Sequence, residues 1–359
     1  MQNVLVTGGA GFIGSNFTRY LLGAEPHVRI INFDALTYAG SLENLKDLPN
    51  AERHAFIHGD INNAALLLQT LRQNRIDTIV HFAAESHVDR SIAAPNQFMQ
   101  TNIMGTHTLL EAARKFWLEE KALGAEKVRF HHISTDEVFG SLAPAEPAWT
   151  ESSPYAPNSP YAASKAASDH LVRAYGHTYG LPFTLTNCSN NYGAYQFPEK
   201  LIPLVIQNAL EEKPLPVYGD GKQVRDWLHV QDHCEAIRLV LAHAPDGESY
   251  NIGGGNQPAN LTLVESICDI LDELRPRKTP RRKLIQFVKD RPGHDRRYAM
   301  NAEKIHRELG WSPRHDLLAG LRETVEWYLH HPAWTQAIQK QIDYQNWLGK
   351  NYGTRQLAD

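Results

Sequence analysis

Short runs of aliphatic residues alternate with longer segments of mixed polarity in the first half of the chain. Runs at 4–6, 28–33, 55–58, 78–82 and 127–133 are each followed by small or polar residues. Continuous apolar runs of this length are typical of strands buried on both faces, whereas the longer segments between them have the spacing of helices that pack on a sheet. The pattern predicts an α/β protein with a doubly wound parallel sheet.

A glycine-rich turn separates the first predicted strand from the first predicted helix (15–22). The glycines at positions 8, 11 and 14 remove side chains where the backbone must approach a pyrophosphate, whose charge is met by the helix N-terminus. The second strand leads to Asp34, twenty residues past Gly14. A carboxylate there accepts hydrogen bonds from the adenosine ribose and repels a 2′-phosphate. These features predict a Rossmann-type site for NAD rather than NADP.

Tyr161 and Lys165 lie four residues apart at the start of a predicted helix (161–179), so they share one face of it. A free tyrosine has a pKa of about 10, and a nearby cation lowers it. The Lys165 ammonium is therefore expected beside the phenol, which would act as a base on an alcohol that loses hydride. Asp136 and Glu137 follow the fifth strand and offer a second acid and base. The predicted chemistry is an oxidation followed by a second acid–base step.

The second half of the chain supplies polar and cationic residues after its predicted strands. Lys200, Arg225 and Arg291 could clamp a diphosphate, because guanidinium groups match phosphate oxygens in geometry. Together with the dinucleotide site upstream, they favour a substrate that carries a nucleotide. We expect an NAD-binding domain over 1–187 and a smaller α/β C-terminal substrate domain over 188–359, with the chain crossing back to the first domain within 225–260.

Composition excludes several classes of function. The net charge of −4 does not favour binding to nucleic acid or to an anionic membrane, both of which attract basic proteins. No apolar run approaches the length of a membrane span, and the N-terminus leads directly into the first strand without a signal peptide. The cysteines at 188, 234 and 268 form no metal or redox motif, and the 18 histidines show no metal-binding spacing. A cytoplasmic protein without a catalytic metal is expected.

Taken together, the motifs resemble those of the extended short-chain dehydrogenase/reductase family, and within it the NAD-dependent sugar-nucleotide 4,6-dehydratases. The resemblance covers the chain from Val4 to about Tyr328. Phe139 and Ala194 depart from it, because the family usually has tyrosine and proline there. The motifs that carry the resemblance are the glycine turn, Thr135-Asp136-Glu137, the Tyr161/Lys165 pair, Asn190-Asn191-Tyr192-Gly193 and 290–294.

The resemblance implies a complete reaction and an assembly. It implies that dTDP-glucose is converted to dTDP-4-keto-6-deoxyglucose and water, by C4 oxidation, elimination across C5 and C6, and hydride return to C6. NAD would stay bound and be recycled in each turnover. The resemblance also implies a homodimer in which helices at 102–121 and 161–179 form a four-helix bundle.

The resemblance further assigns the site residues. Those assigned to catalysis are Thr135, Asp136, Glu137, Tyr161 and Lys165. Those assigned to the cofactor are Gly8, Gly11, Phe12, Ile13, Gly14, Asp34, Ala35, Leu36, Thr37, Asp60, Ile61, Phe82, Ala83, Ala84, Ser86, Thr101, Tyr161, Lys165 and Asn191. Those assigned to the substrate are Ser86, Thr135, Asn190, Lys200, Leu201, Pro216, Val217, Tyr218, Arg225, Asn260, Asp290, Arg291 and His294.

Three alternatives stay open at this point. A nucleotide-sugar 4-epimerase also needs Tyr161 and Lys165, but it has no use for Asp136 and Glu137. A dehydratase for another nucleotide sugar is harder to separate, because the sequence does not display the shape of the base pocket. A non-catalytic NAD-sensing regulator would not need the Tyr/Lys pair that this chain retains.

Overall fold

A computed structural model describes residues 1–121, 123, 127–290 and 293–340. Most strands in this part of the chain are short, with four to six residues. Their bounds are β1 (Asn3–Thr7), β2 (Arg29–Asp34), β3 (His54–His58), β4 (Thr78–His81), β5 (Arg129–Thr135), β6 (Phe183–Cys188), β7 (Asn190–Tyr192), β8 (Leu215–Tyr218), β9 (Trp227–His229), β10 (Ser249–Ile252) and β11 (Ile285–Val288).

Helices connect most of these strands. Their bounds are α1 (Phe12–Ala24), α2 (Ala64–Gln73), α3 (Val88–Ala93), α4 (Pro95–Phe98), α5 (Thr106–Arg114), α6 (Pro160–Tyr179), α7 (Leu201–Leu210), α8 (Val230–His243), α9 (Asn260–Leu274), α10 (Glu303–Leu309), α11 (Leu317–His330) and α12 (Pro332–Gln339). No helix of the described ranges is long and apolar enough to cross a membrane.

Seven strands form one parallel sheet in the order β10-β6-β5-β4-β1-β2-β3. The chain winds outward in both directions from β1, which confirms the predicted doubly wound α/β fold. The side chains of Val4, Leu5 and Val6 in β1 are all fully buried. A strand buried on both faces explains why the sequence shows a continuous apolar run there instead of an alternating one.

The second half of the chain contributes both to the large sheet with its helices and to a smaller lobe. Strand β10 pairs with β6 at the edge of the large sheet, and α8 packs against α1. The remaining segments form a smaller lobe with two-stranded sheets, β8 with β11 and β7 with β9. Helices α7, α9 and α11 enclose its own apolar core.

Helix α6 is set up by local sequence. The hydroxyl oxygen of Ser159 accepts a hydrogen bond from the N–H of Ala162 at 3.1 Å, and Pro160 occupies the first helical position, where its missing N–H costs nothing. Gly180 ends the helix at a φ of 70°, which glycine adopts without strain. Tyr161 therefore lies in the first turn of the helix.

The helix predicted over 102–121 differs from the observed one. The helical segment starts at Pro95 and includes two π-helical stretches, Met99–Gly105 and Lys115–Glu119. It ends before Lys121, whose backbone has a positive φ of 48° that a right-handed helix does not accommodate. The prediction missed the π-helical stretches because hydrophobic spacing does not distinguish i→i+5 from i→i+4 hydrogen bonding over one turn.

Candidate active site

A cavity of about 320 Å³ lies at the carboxyl ends of the central strands. Its wall includes the glycine turn after β1, the end of β2, the end of β4 and the first turn of α6. Every residue that the sequence assigned to the cofactor lines this cavity except Leu36. The cavity lies where ligands of doubly wound sheets are expected, near the reversal of strand order.

In the glycine turn, neighbouring backbone segments come too close to leave room for side chains. Gly8 has a φ of +69°, and a Cβ there would lie 2.7 Å from the nitrogen of Ala83. A Cβ on Gly14 would lie 2.3 Å from the carbonyl oxygen of Gly8. Helix α1 follows with Gly11 as its N-cap, where no side-chain cap forms. The exposed N–H groups at this helix start can meet a pyrophosphate, so the cavity fits a dinucleotide.

Asp34 is held at the cavity wall by backbone. One carboxylate oxygen accepts from the N–H of Ala10 at 2.9 Å, and the other accepts from the N–H of Leu36 at 2.8 Å. Burial raises the pKa of Asp34, and these two hydrogen bonds oppose that rise. Leu36 lies outside the cavity lining, and its described contribution is the N–H that orients Asp34.

The predicted catalytic residues meet where β5 ends. Asp136–Phe139 forms a 3₁₀ turn, whose N-cap Thr135 accepts from the N–H of Glu137 at 3.3 Å. The Thr135 hydroxyl also donates to Oδ1 of Asp136 at 3.2 Å. One threonine hydroxyl therefore contacts the backbone of Glu137 and the carboxyl of the proposed acid.

The carboxyl of Asp136 favours its protonated form. Burial raises its pKa well above the usual value, and the charges of Glu137 and Asp226 raise it further. Arg225 acts in the opposite direction but has a smaller effect. A carboxylic acid whose pKa is raised in this way holds its proton more strongly than a free carboxyl group, which suits a general acid.

The pKa of Tyr161 does not behave as predicted in this structure. It is raised well above 10, first by burial and then by the charges of Glu137 and Cys188, while the hydrogen bond with Thr135 lowers it. The ammonium of Lys165 donates instead to the carbonyl oxygen of Ile133 at 2.8 Å. Desolvation dominates because a buried phenolate loses the hydration of its charge.

Lys165 is held in a buried polar network. Its ammonium lies 3.3 Å from Nε2 of His132, which in turn lies 3.2 Å from a carboxylate oxygen of Asp169. Burial lowers the pKa of Lys165 to about 8, although Asp169 opposes the change. His131, the neighbour of His132, contacts Thr184 on the adjacent strand. Successive residues of a strand point to opposite faces of the sheet, so His131 lies on the face opposite to His132.

A second cavity of about 180 Å³ adjoins the first. Glu137 lines both cavities, which places this carboxylate between them. Lys200 donates to the carbonyl oxygen of Ser86 at 3.0 Å across the same boundary. The residues predicted to bind substrate that line this second cavity are Ser86, Asn190, Lys200, Leu201, Pro216, Val217, Tyr218, Arg225, Asn260 and His294.

Of the remaining predicted substrate residues, Thr135 lines the first cavity instead of the second. Asp290 is absent from the lining of the second cavity, and its carboxylate contacts Nδ1 of His294 at 2.6 Å and accepts from Gln223 at 2.9 Å. Asp290 therefore supports a lining residue. Arg291 lies outside the described residues.

Sequence reasoning missed several buried polar residues of the site. Glu199 lines both cavities and forms an ion pair with Arg90 at 3.2 Å, and burial raises its pKa. No spacing pattern links Glu199 to Arg90, which is 109 positions earlier in the chain. Cys188 and Ser189 also line the first cavity, and their place at the end of β6 could have indicated this.

A potential metal site lies away from both cavities. Among the described residues, the cluster that could hold an ion comprises His229, His315 and Glu323. None of the three lines either cavity. The expectation of a reaction without a metal remains a prediction.

Comparison with known proteins identifies the family. Residues 5–324 match the model of the GDP-mannose 4,6 dehydratase family. The dTDP-glucose 4,6-dehydratase of Salmonella typhimurium is 54% identical over 366 residues, which cover 99% of this chain and all of the relative. The dTDP-glucose 4,6-dehydratase of Xanthomonas campestris (strain B100) is 55% identical, and the match covers 94% of this chain and 96% of that protein.

A solved structure agrees with these relatives. The dTDP-glucose 4,6-dehydratase DesIV of Streptomyces venezuelae, crystallised with NAD and TYD bound, superimposes with a TM-score of 0.84 at 49% identity. The superposition covers 94% of this chain and 99% of that one. The chain therefore belongs to the GDP-mannose 4,6 dehydratase family and, within it, to the dTDP-glucose 4,6-dehydratases.

Proposed function

We propose that this protein converts dTDP-glucose to dTDP-4-keto-6-deoxyglucose and water, as an NAD-dependent hydro-lyase of deoxysugar biosynthesis. The observation that carries the proposal is the cluster at the end of β5, where Tyr161, Asp136 and Glu137 line one cavity. An epimerase needs the first of these but neither carboxyl group. Relatives named dTDP-glucose 4,6-dehydratase, which are more than 50% identical to this chain, support the assignment.

NAD is proposed to occupy the larger cavity. The glycine turn would receive the pyrophosphate, Asp34 the adenosine ribose, and Lys165 the nicotinamide ribose. When bound, NAD⁺ supplies the acceptor for the C4 hydride and returns that hydride to C6. The side chains of this chain then have to bind the sugar and move protons.

The cluster supports one proposal for the proton transfers. Tyr161 takes the proton of the C4 hydroxyl, and Thr135 lowers the pKa of its phenol. A ketone at C4 makes the C5 hydrogen acidic, because the resulting carbanion is an enolate. Glu137 then removes the C5 proton, and Asp136 protonates the C6 hydroxyl as it departs. The raised pKa of Asp136 supports its role as the acid.

The second cavity is proposed to bind the nucleotide part of the substrate. Arg225 and Lys200 line it and would neutralise the diphosphate, together with Arg291. Asn190 and Ser86 lie where the two cavities meet and would hold the sugar. This division assigns NAD mainly to residues 1–187 and the nucleotide sugar mainly to residues 188–359.

A cytoplasmic homodimer is proposed as the working form. Met104 and Tyr179, on the helices expected at the dimer interface, are 47% and 50% exposed, and large apolar side chains of this kind gain from burial against a second copy. The cysteines 188, 234 and 268 are buried and unpaired within the described ranges, in keeping with a reducing compartment. Mass measurement in solution tests the dimer.

The proposed reaction predicts a defined product. Purified protein incubated with dTDP-glucose, without added cofactor, is expected to yield a nucleotide sugar lighter by one water. Mass spectrometry of the product measures this, and UDP-glucose and CDP-glucose serve as controls for the nucleobase. A dTDP-sugar of unchanged mass with inverted C4 would identify an epimerase and exclude the proposed roles of Asp136 and Glu137.

Asp34→Asn tests the proposed cofactor preference. We expect affinity for NAD to fall about 10- to 100-fold, because a hydrogen bond to a charged group contributes roughly 1.5–3 kcal/mol. Discrimination against NADP should also weaken, since the repelling charge is gone. Titration of cofactor-stripped protein with both dinucleotides measures the change. Asp47→Asn, on the exposed surface, is the matched control, and an equal loss in both variants would contradict the assignment.

A further inference from the structure

The loop after β2 forms part of the wall of the cavity proposed for NAD. No strand or helix spans residues 35–41, and a 3₁₀ turn at Leu42–Leu45 follows. Because the loop has no ladder or helix hydrogen bonds of its own, its position depends on the contacts that it makes with other elements. The loop residues that line the cavity are Ala35, Thr37, Ala39 and Gly40.

Asn44 joins this loop to the glycine turn. Its side-chain N–H donates to the carbonyl oxygen of Ala10 at 2.8 Å, and the N–H of Ser41 donates to the same oxygen at 3.0 Å. The N–H of Ala10 donates in turn to the carboxylate of Asp34 at 2.9 Å. Ala10 therefore links the loop to the residue proposed to bind the adenosine ribose. Asn44 is 2% exposed, so water hardly competes for its hydrogen bonds.

The other polar atom of Asn44 is held by the C-terminal part of the described chain. The indole N–H of Trp334, on α12, donates to Oδ1 of Asn44 at 2.8 Å, although the two residues are 290 positions apart. An indole can only donate and a backbone carbonyl can only accept, so the two bonds of the Asn44 side chain fix one orientation of its amide. Trp334, Asn44, Ala10 and Asp34 thus form a continuous hydrogen-bonded series.

Trp334 is itself held in place by aromatic packing. Its ring centroid lies 5.2 Å from that of Trp327 and 6.0 Å from those of Tyr328 and Tyr195. The hydroxyl of Tyr328 donates to the carbonyl oxygen of Gln196 at 2.7 Å, and Gln196 lines both cavities. The indole N–H is therefore presented to the loop from a fixed position next to the site.

We propose that Trp334, acting through Asn44, holds this loop closed over bound NAD and so keeps the cofactor in the protein between turnovers. Trp334 acts as a positioning residue, because it lines neither cavity and reaches the cofactor site through another side chain. The inference rests on the proposed function, in which the hydride returns to the sugar and no NAD⁺ is consumed. Loss of the reduced cofactor between the two hydride transfers would leave a keto sugar that the protein cannot reduce.

Trp334→Phe tests the proposal, since phenylalanine keeps an aromatic ring but has no N–H for Asn44. Holoenzyme is mixed with an excess of isotopically labelled NAD, and replacement of the bound cofactor is followed by mass spectrometry after rapid separation. Exchange should be about 10-fold faster than in the wild type, which corresponds to about 1.4 kcal/mol and to the loss of one buried hydrogen bond. The turnover rate at saturating NAD should stay at the wild-type value, because the residues proposed to move protons are unchanged.

Asn44→Ala tests the same contact from its other side. This change removes the bonds to both Trp334 and Ala10, so exchange should be faster than in Trp334→Phe. The double variant should exchange at the rate of Asn44→Ala, because the indole acts only through Asn44 and the two effects are then not additive.

Trp311→Phe is the matched control. Trp311 is buried, and its indole N–H donates to the carbonyl oxygen of Asp232 at 3.2 Å, away from the lining of both cavities. The control should lower the unfolding temperature to a similar extent as Trp334→Phe but exchange NAD at the wild-type rate. A purely structural role for Trp334 would make the two variants alike.

The outcomes separate this proposal from the proposed function. Faster exchange in Trp334→Phe than in Trp311→Phe, without additivity in the double variant, supports the role of Trp334. Equal exchange in these two variants, or an additive double variant, overturns it while wild-type dehydration stays intact. If Trp334→Phe does not fold, Asn44→Ala decides by the same comparison with Trp311→Phe. Wild-type protein that holds no NAD or removes no water from any nucleotide sugar overturns the proposed function, and this inference with it.

Discussion

Glu137→Gln is expected to stop water loss while leaving C4 oxidation in place. Glutamine has nearly the same size as glutamate, and the backbone N–H of residue 137 can still donate to the hydroxyl oxygen of Thr135. The glutamine amide, however, cannot accept the C5 proton. Positioned acid–base groups contribute about 10²–10⁴-fold, so the rate of dehydration should fall by that factor. Oxidation should persist because the charge of Glu137 raises the pKa of Tyr161, and its removal makes the phenolate easier to form.

The measurement separates the two steps. Quenched reaction mixtures should contain a 4-keto nucleotide sugar lighter by two hydrogens, in amounts up to the enzyme concentration, together with NADH absorbance. Glu248→Gln, which removes a surface ion pair with Lys304, is the matched control and should turn over at the wild-type rate. Wild-type rates of water loss in Glu137→Gln would remove this carboxylate from the mechanism.

Tyr161→Phe is expected to block the reaction one step earlier. Phenylalanine fills the buried space of the ring but offers no base to the C4 hydroxyl, so oxidation should slow about 10²–10⁴-fold. No 4-keto sugar and no NADH absorbance should accumulate, in contrast to Glu137→Gln. The two variants together therefore place Tyr161 before Glu137 in the reaction.

A matched control distinguishes this effect from a general loss of structure. Tyr250 is also buried, and its hydroxyl donates to Glu308 at 3.0 Å, away from the lining of both cavities. Tyr250→Phe should lower the free energy of unfolding by about 1 kcal/mol and leave turnover unchanged. Formation of the keto sugar at the wild-type rate by Tyr161→Phe would assign the base to another residue.

Several features were predictable because they depend on residues close together in the chain. The apolar runs identify buried strands, and their alternation with helices identifies the doubly wound sheet. Position 14 requires glycine because a Cβ there would meet the backbone of Gly8 within the same turn. The adjacency of Asp136 and Glu137 and the one-turn spacing of Tyr161 and Lys165 place candidate acids and bases without knowledge of the rest of the fold.

Other features depend on groups that only folding brings together. The pKa of Tyr161 was expected to fall because a lysine lies one turn away, but burial and the charge of Glu137 raise it. Asp226, ninety residues from Asp136 along the chain, helps to raise the pKa of that acid. Glu199 and Arg90 pair at the boundary of the two cavities with no local signal in the sequence.

The sequence by itself therefore determined the alternation of strands and helices in the first half of the chain, the glycine turn and the residue types of the catalytic cluster, because each follows from local periodicity or spacing. The tertiary structure decided which charges surround those residues and which way their pKa values move. Desolvation and Coulomb interactions depend on distance in space, and distance in space between residues far apart in the chain is set only by packing.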